Sequence, residues 1–152
     1  MGIEIVRASP AHIGRIANKM RPDDVLECAA MGYSPKQALR QSMLTSEEAW
    51  TAKVDGVPEA MFGLVITNAL CGVGRPWMLG SEAIYRHPRA MIRGGEIALN
   101  RWLDSSRELS NYVSTGNHRA IRMLRRWGCK IEEGGDLMFA GVRFVRFSLE
   151  RE

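Results

Sequence analysis

The amino-acid sequence predicts a mixed α/β fold: a central mixed sheet of about six to seven strands with helices on both faces. Three observations carry that expectation. The stretch Leu109–Glu133 is a complete strand-helix-strand unit. In its helix, Ala120, Ile121, Leu124 and Trp127 share one face, and Arg119, Arg122, Arg125 and Arg126 fill the remainder. Secondly, Asp55-Gly56 is a tight-turn dipeptide between the alternating runs Ala49–Val54 and Pro58–Thr67. Thirdly, a first strand-like run is followed by Ser9-Pro10 and Ser34-Pro35, two cap-and-proline signals that start helices.

In order, Ile3–Ala8 reads as the first strand. Pro10–Thr45 is a broken helical region, with pieces to about Met20, from Asp23 to about Met31, and from Pro35 to about Met43. Asp23 and Asp24 suit the dipole of the second piece. The hairpin follows, then a glycine-bearing loop Asn68–Arg75 and a short strand Pro76–Gly80. His87-Pro88 starts a long helix to about Arg107. Its interior Gly94-Gly95 costs on the order of 1 kcal/mol per glycine, which points either to close backbone approach there or to a simple helix irregularity. In the opening unit Asn117 or Thr115 caps the helix, Gly128 ends it, and a strand begins at Cys129. Gly134-Gly135 turns the chain into a last strand, Gly141–Leu149.

Composition sets the outer limits. With 152 residues, 45% hydrophobic and 25% charged, one domain spanning 1–152 is expected, with a core that needs no staples. No apolar run approaches a membrane span, and the first residues carry Glu4 and no apolar signal core, so a cytoplasmic protein without membrane contact is expected. Cys28, Cys71 and Cys129 are odd in number and, like the three histidines, scattered; free thiols and no metal site are expected. Net charge is +4, with no acid between Arg119 and Lys130. Such a patch meets nucleic acid, a phosphate-bearing cofactor or an acidic partner, or is simply a solvated face. Nucleic acid ranks last, because no exposed aromatics interleave with the arginines.

The element order, together with Asn117, Ala120 and Trp127-Gly128-Cys129, resembles the GCN5-related N-acetyltransferase (GNAT) family. Asp55-Gly56 is similar to that family's central hairpin turn, and Trp77-Met78-Leu79-Gly80 to its fourth strand. More narrowly, the Trp77–Gly80 strand, the long helix and the run N-x-x-A-I-R-x-L-x-x-x-G resemble a phage-encoded branch of the fold. The resemblance implies acetyl-CoA as cofactor and transfer of its acetyl group to an unknown amine by direct attack. For the narrower branch it implies instead a catalytically degenerate phage protein with a structural, assembly or host-interaction role, in the host cytoplasm or the virion.

The resemblance also implies a site. Two neighbouring parallel strands, near Trp77–Gly80 and Leu109–Val113, would splay and admit the cofactor, with its pyrophosphate at a helix N-terminus. Leu79, Gly80, Arg86, Arg89 and Asn117 are the implied cofactor-binding residues, and Arg93 adds charge. Glu82 is the implied general base, ahead of Glu48 and Glu59. Two features depart from the family. None of Arg86, Arg89 and Arg93 starts the usual Gln/Arg-x-x-Gly-x-Gly/Ala cradle, and the position of the usual proton-donating tyrosine holds Leu124. Tyr112 or Tyr85 would have to donate that proton; otherwise each is an ordinary packed aromatic. Cys129, at a strand start, is expected to be a small buried side chain and no nucleophile.

Overall fold

A computed structural model describes residues 2–152. The chain runs β1 (Ile3–Arg7), α1 (Pro10–Asn18), α2 (Pro22–Ala30), α3 (Pro35–Thr45), β2 (Glu48–Val54), β3 (Val57–Asn68) and β4 (Val73–Gly80). A 3-10 helix (Glu82–Arg86) leads into α4 (Pro88–Ser105), followed by β5 (Glu108–Ser114), α5 (His118–Arg126), β6 (Lys130–Ile131), β7 (Leu137–Phe139) and β8 (Val142–Glu150). The described strands form one sheet in the order β1-β2-β3-β4-β5-β8-β6, with β7 also on β8. Every neighbouring pair is antiparallel except β4 and β5.

Local chemistry accounts for the element ends. Ser9 and Ser34 cap α1 and α3 as capping boxes, closed by His12 and Gln37 three residues on, each helix having proline in its first turn. The β2–β3 turn places Asp55 at φ 50° and Gly56 at φ 81°, the left-handed pair that a two-residue hairpin turn requires. Two expectations are corrected, and one connection gains its form. The sheet has eight strands, because the three-residue β7 is too short to show a period. β4 begins at Val73, three residues before Pro76, since Gly74 and Arg75 read as loop residues although they pair with β3. The connection after Gly80 is a 3-10 helix capped by Ser81.

The helices divide between the two faces. From α1–α3, Ile16, Cys28 and Leu39 pack with Met61, Trp77 and Leu79. On the opposite face Leu99 and Trp102 of α4 pack with Leu64 and Leu109, and α5 sets Ala120, Ile121 and Leu124 against Val113, Val145 and Phe147. Helices α4 and α5 also meet directly. The Trp127 indole lies on Gly95, where a Cβ would come within 2.1 Å of its ring, and its Nε1 donates to the Ile92 carbonyl at 3.1 Å. The glycine in the middle of α4 is thus a close-approach site. Among the described residues, no helix is long and apolar enough to cross a membrane.

Candidate functional site at the splayed strands

β4 and β5 pair only at Val73 with Glu108 and Gly74 with Leu109, and then diverge. Pro76 explains where pairing stops. The N–H and C=O of one residue point to the same strand edge, and consecutive residues alternate edges. The Pro76 carbonyl accepts from Asn111 Nδ2 of β5 at 2.9 Å, so Pro76 faces β5, and the next rung of that ladder would need the N–H that proline lacks. The same alternation turns Met78 and Gly80 toward the gap, while Trp77 and Leu79 turn to their β3 partners Gly63 and Met61.

Helix α2 fills the far rung. The Gly80 N–H donates to Asp24 Oδ2 at 3.0 Å, and the Gly80 carbonyl accepts from the Arg21 N–H at 2.9 Å. One turn along, Glu27 Oε2 accepts from the Ser114 N–H (2.9 Å), the Ser114 hydroxyl (2.7 Å) and Asn117 Nδ2 (3.1 Å). Two carboxylates of one helix therefore hold the C-terminal ends of β4 and β5, which are not paired with each other there. On the β5 side the Tyr112 N–H is bonded by Asn111 Oδ1 at 2.8 Å. The peptide of Met78 remains as the β4 rung facing the gap, with neither a strand nor a side chain on it among the described residues.

The cleft so opened has a volume of about 250 Å³, and its wall is mostly apolar, with Phe62, Met78, Met123, Leu124 and Trp127 prominent. Polar groups collect at its end. Arg21, 2% exposed, donates to Asp24 (3.1 Å), Asp23 (3.3 Å), the Tyr85 hydroxyl (3.3 Å) and Asn117 Oδ1 (3.0 Å). Its Nε, 3.6 Å from Glu82 Oε1, lies just outside hydrogen-bond range. The Tyr85 ring is sandwiched between the Arg21 and Arg119 guanidiniums, at 4.2 and 4.7 Å. Burial pushes its hydroxyl up to about 12 against the pull of Arg21. Burial likewise pushes the Asp24 carboxyl up to about 7, more than Arg21 and the Gly80 amide draw it down.

The residues singled out by sequence fall in distinct places. Leu79 and Gly80 end β4, with Gly80 already bonded by α2. Glu82 opens the 3-10 helix and is paired to Arg119. Arg86 and Arg89 are exposed on either side of the α4 start, where no side chain caps the helix and no acid occupies the first turn. Asn117 occupies the N-cap position of α5, but its side chain does not cap; 1% exposed, it bonds Arg21 and Glu27 instead. Tyr112 packs edge-on against Phe139 at 6.4 Å and lines the cleft. Tyr85 lines it too.

Glu48 accepts from Arg101, Trp102 and Trp50; burial raises its carboxyl, but these donors hold it below the usual range. Glu59 is buried against Ser81 and Arg15. Burial raises the Cys129 thiol to about 11 and that of Cys28 to about 12, which leaves both protonated at neutral pH. Sequence reasoning missed Arg21, Asp24 and Glu27. The only local signal was an acidic first turn, which the helix dipole explains as well.

No protein-family model matches the chain, and no curated protein matches it either. Solved structures do. A spermidine N-acetyltransferase from Vibrio cholerae, in complex with CoA and spermine, matches 97% of this chain and 95% of its own at TM-score 0.71 and 10% identity. The aminoglycoside acetyltransferase AAC(6')-Ib, in complex with coenzyme A, matches 99% and 95% at TM-score 0.69 and 12% identity. An acetyltransferase (GNAT family) from Bacillus anthracis matches 97% and 94% at TM-score 0.71 and 7% identity. The fold is therefore the one these acetyltransferases share.

Proposed function

We propose that the protein is an N-acyltransferase that takes an acetyl group from acetyl-CoA and passes it to an amine. The observation that carries this reading is the rung left by Pro76: one strand peptide, that of Met78, faces an apolar gap with its donor and acceptor unpaired among the described residues. Such a gap suits a narrow extended ligand bearing amides, which can take the place of a strand, as a pantetheine arm does. Around the start of α4, whose residues Ala90 and Met91 line the cleft, Arg86, Arg89 and the uncapped amides would form a positive environment for phosphate. The residues present thus match the group chemically at both its ends. Leu79 and Gly80 would border the arm, and Asn117 would set the mouth by fixing Arg21 against Glu27. When bound, the cofactor supplies an activated thioester.

Thermal unfolding with and without acetyl-CoA tests the reading. At a hundred times its dissociation constant the ligand should add about 2.7 kcal/mol of stability. The gain should fall in Arg89→Ala, which touches no described residue by hydrogen bond or ion pair. No shift at millimolar acetyl-CoA would overturn the proposal.

One observation favours a second reading. Leu124 lines the cleft where the resemblance leads to a proton-donating tyrosine, and Glu82 is engaged by Arg119. In that reading the chain is a phage protein of this fold without catalysis, serving structure, assembly or host interaction in the virion or host cytoplasm. Cofactor binding without thioester consumption would favour it.

A further inference from the structure

We infer that Asp24 is the proton acceptor for the attacking amine, and that the amine approaches from the face of the sheet that carries α2. The inference rests on the acyltransferase reading and deepens it. Three facts of placement support it. Asp24 lines the gap itself, whereas the sequence-derived base Glu82 sits outside on the 3-10 helix, with its carboxylate paired to Arg119 and within 3.6 Å of Arg21. Asp24 Oδ2 is bonded to the gap-facing N–H of Gly80, two residues along β4 from the open Met78 peptide. Two strand residues span about 6.6 Å, so the carboxylate is one rung from the peptide that would hold the acyl donor. Finally, α2 packs with Met61, Trp77 and Leu79 on the face opposite α4 and α5. A donor whose phosphates lie at the α4 start enters from one side, and an acceptor meeting Asp24 enters from the other.

The chemistry balances. An amine arrives as R–NH3⁺ and gives one proton to the Asp24 carboxylate, which frees the nitrogen lone pair. The C–N bond forms as the C–S bond breaks, and the second nitrogen proton leaves with the sulfur as a thiol. Asp24 returns its proton to solvent. The sum is ammonium plus thioester giving amide, thiol and a released proton.

The groups around Asp24 set its task. Arg21 Nη1 lies at 3.1 Å; Asp23, Glu27 and Cys28 share its helix. Tyr85 reaches it across the Arg21 guanidinium; Glu82 stands 3.6 Å from Arg21 Nε, and Arg119 lies over the Tyr85 ring and pairs with Glu82. Burial dominates this set and moves the carboxyl to about 7. The group is therefore a base that works above neutral pH and loses its function as pH falls below it.

The test uses the whole chain and two separate readouts. Binding of coenzyme A, by calorimetry, examines the acyltransferase reading and does not need Asp24 to be ionised. The pH profile of acetyl-CoA consumption examines Asp24, with spermine, kanamycin and water as acceptors, so that a rate is always defined. The wild type should lose activity in proportion to falling pH below about 7. Asp24→Asn should bind coenzyme A, lose on the order of a hundredfold or more in rate, and show a flat acid limb. A carboxyl-carbon NMR titration of the wild-type protein loaded with coenzyme A covers the case in which the variant does not fold: its Asp24 midpoint should coincide with the kinetic one. Binding with an unchanged acid limb in Asp24→Asn, discordant midpoints, or a wild-type rate no faster than without protein would each overturn the inference. Absence of coenzyme binding would overturn the reading beneath it.

Discussion

Adjacent glycines in α4 show how far a residue's meaning depends on what lies against it. Gly94 has open space where a Cβ would stand, so Gly94→Ala should gain about 0.5–1 kcal/mol from helix propensity. At Gly95 the same methyl would collide with the Trp127 ring at 2.1–2.4 Å. Gly95→Ala should therefore cost about 1–3 kcal/mol by overpacking and loosen the Trp127 bond to Ile92. Urea denaturation of both variants checks the pair; equal signs would refute the close-approach account. Sequence alone shows that two glycines are out of place in a helix. It does not show which one is required, because Trp127 arrives from another element.

At the scale of elements, the cleft depends on one missing donor. Pro76→Ala would restore an N–H toward β5 and allow the parallel ladder one more rung. One added hydrogen bond contributes about 0.5–1.5 kcal/mol, and the freer unfolded chain takes back about 0.4–1, so unfolding free energy should barely change. Coenzyme binding should weaken roughly threefold to tenfold, the scale of one hydrogen bond, because the gap narrows at its apex. Binding as tight as wild type would mean that something other than Pro76 splays the strands.

The hairpin, the Ser-Pro helix starts and the strand-helix-strand unit were legible in the sequence because each is set by residues a few positions apart. The α2 clamp was not. Asp24 and Gly80 are 56 residues apart, and Glu27 and Ser114 are 87 apart, so no window of sequence holds both partners. Asn117 stands at the N-cap position that the sequence indicates, but its side chain is drawn away from capping by Arg21 and Glu27, which the same clamp delivers.

For the molecule as a whole, a site that keeps a buried carboxylate ready should make the folded state less stable where that carboxylate is charged. The Asp24 midpoint lies at about 7 in the folded chain against an ordinary 3.8. Below pH 3.8 the group is protonated in folded and unfolded chains alike, and it contributes no pH dependence. Between the two values the folded state holds the extra proton, so stability falls as pH rises. Above 7 the full penalty is present, at most about 4 kcal/mol for a displacement of this size. Asp24→Asn removes the titration while keeping the size of the side chain, although it leaves Arg21 with one anionic partner fewer. The attraction of Arg21 is already contained in the midpoint of about 7, so its loss adds nothing to the slope that the linkage sets. Relative to wild type, the variant should therefore gain stability steadily from pH 4 to pH 8, by a few kcal/mol in total. Guanidinium denaturation of both proteins at pH 4, 6 and 8 measures it. A difference that stays constant across that range would mean that Asp24 titrates as an ordinary surface acid, and one that shrinks would mean that Arg21 holds it below the ordinary range; in either case the strained carboxylate at the end of the cleft would have to be given up.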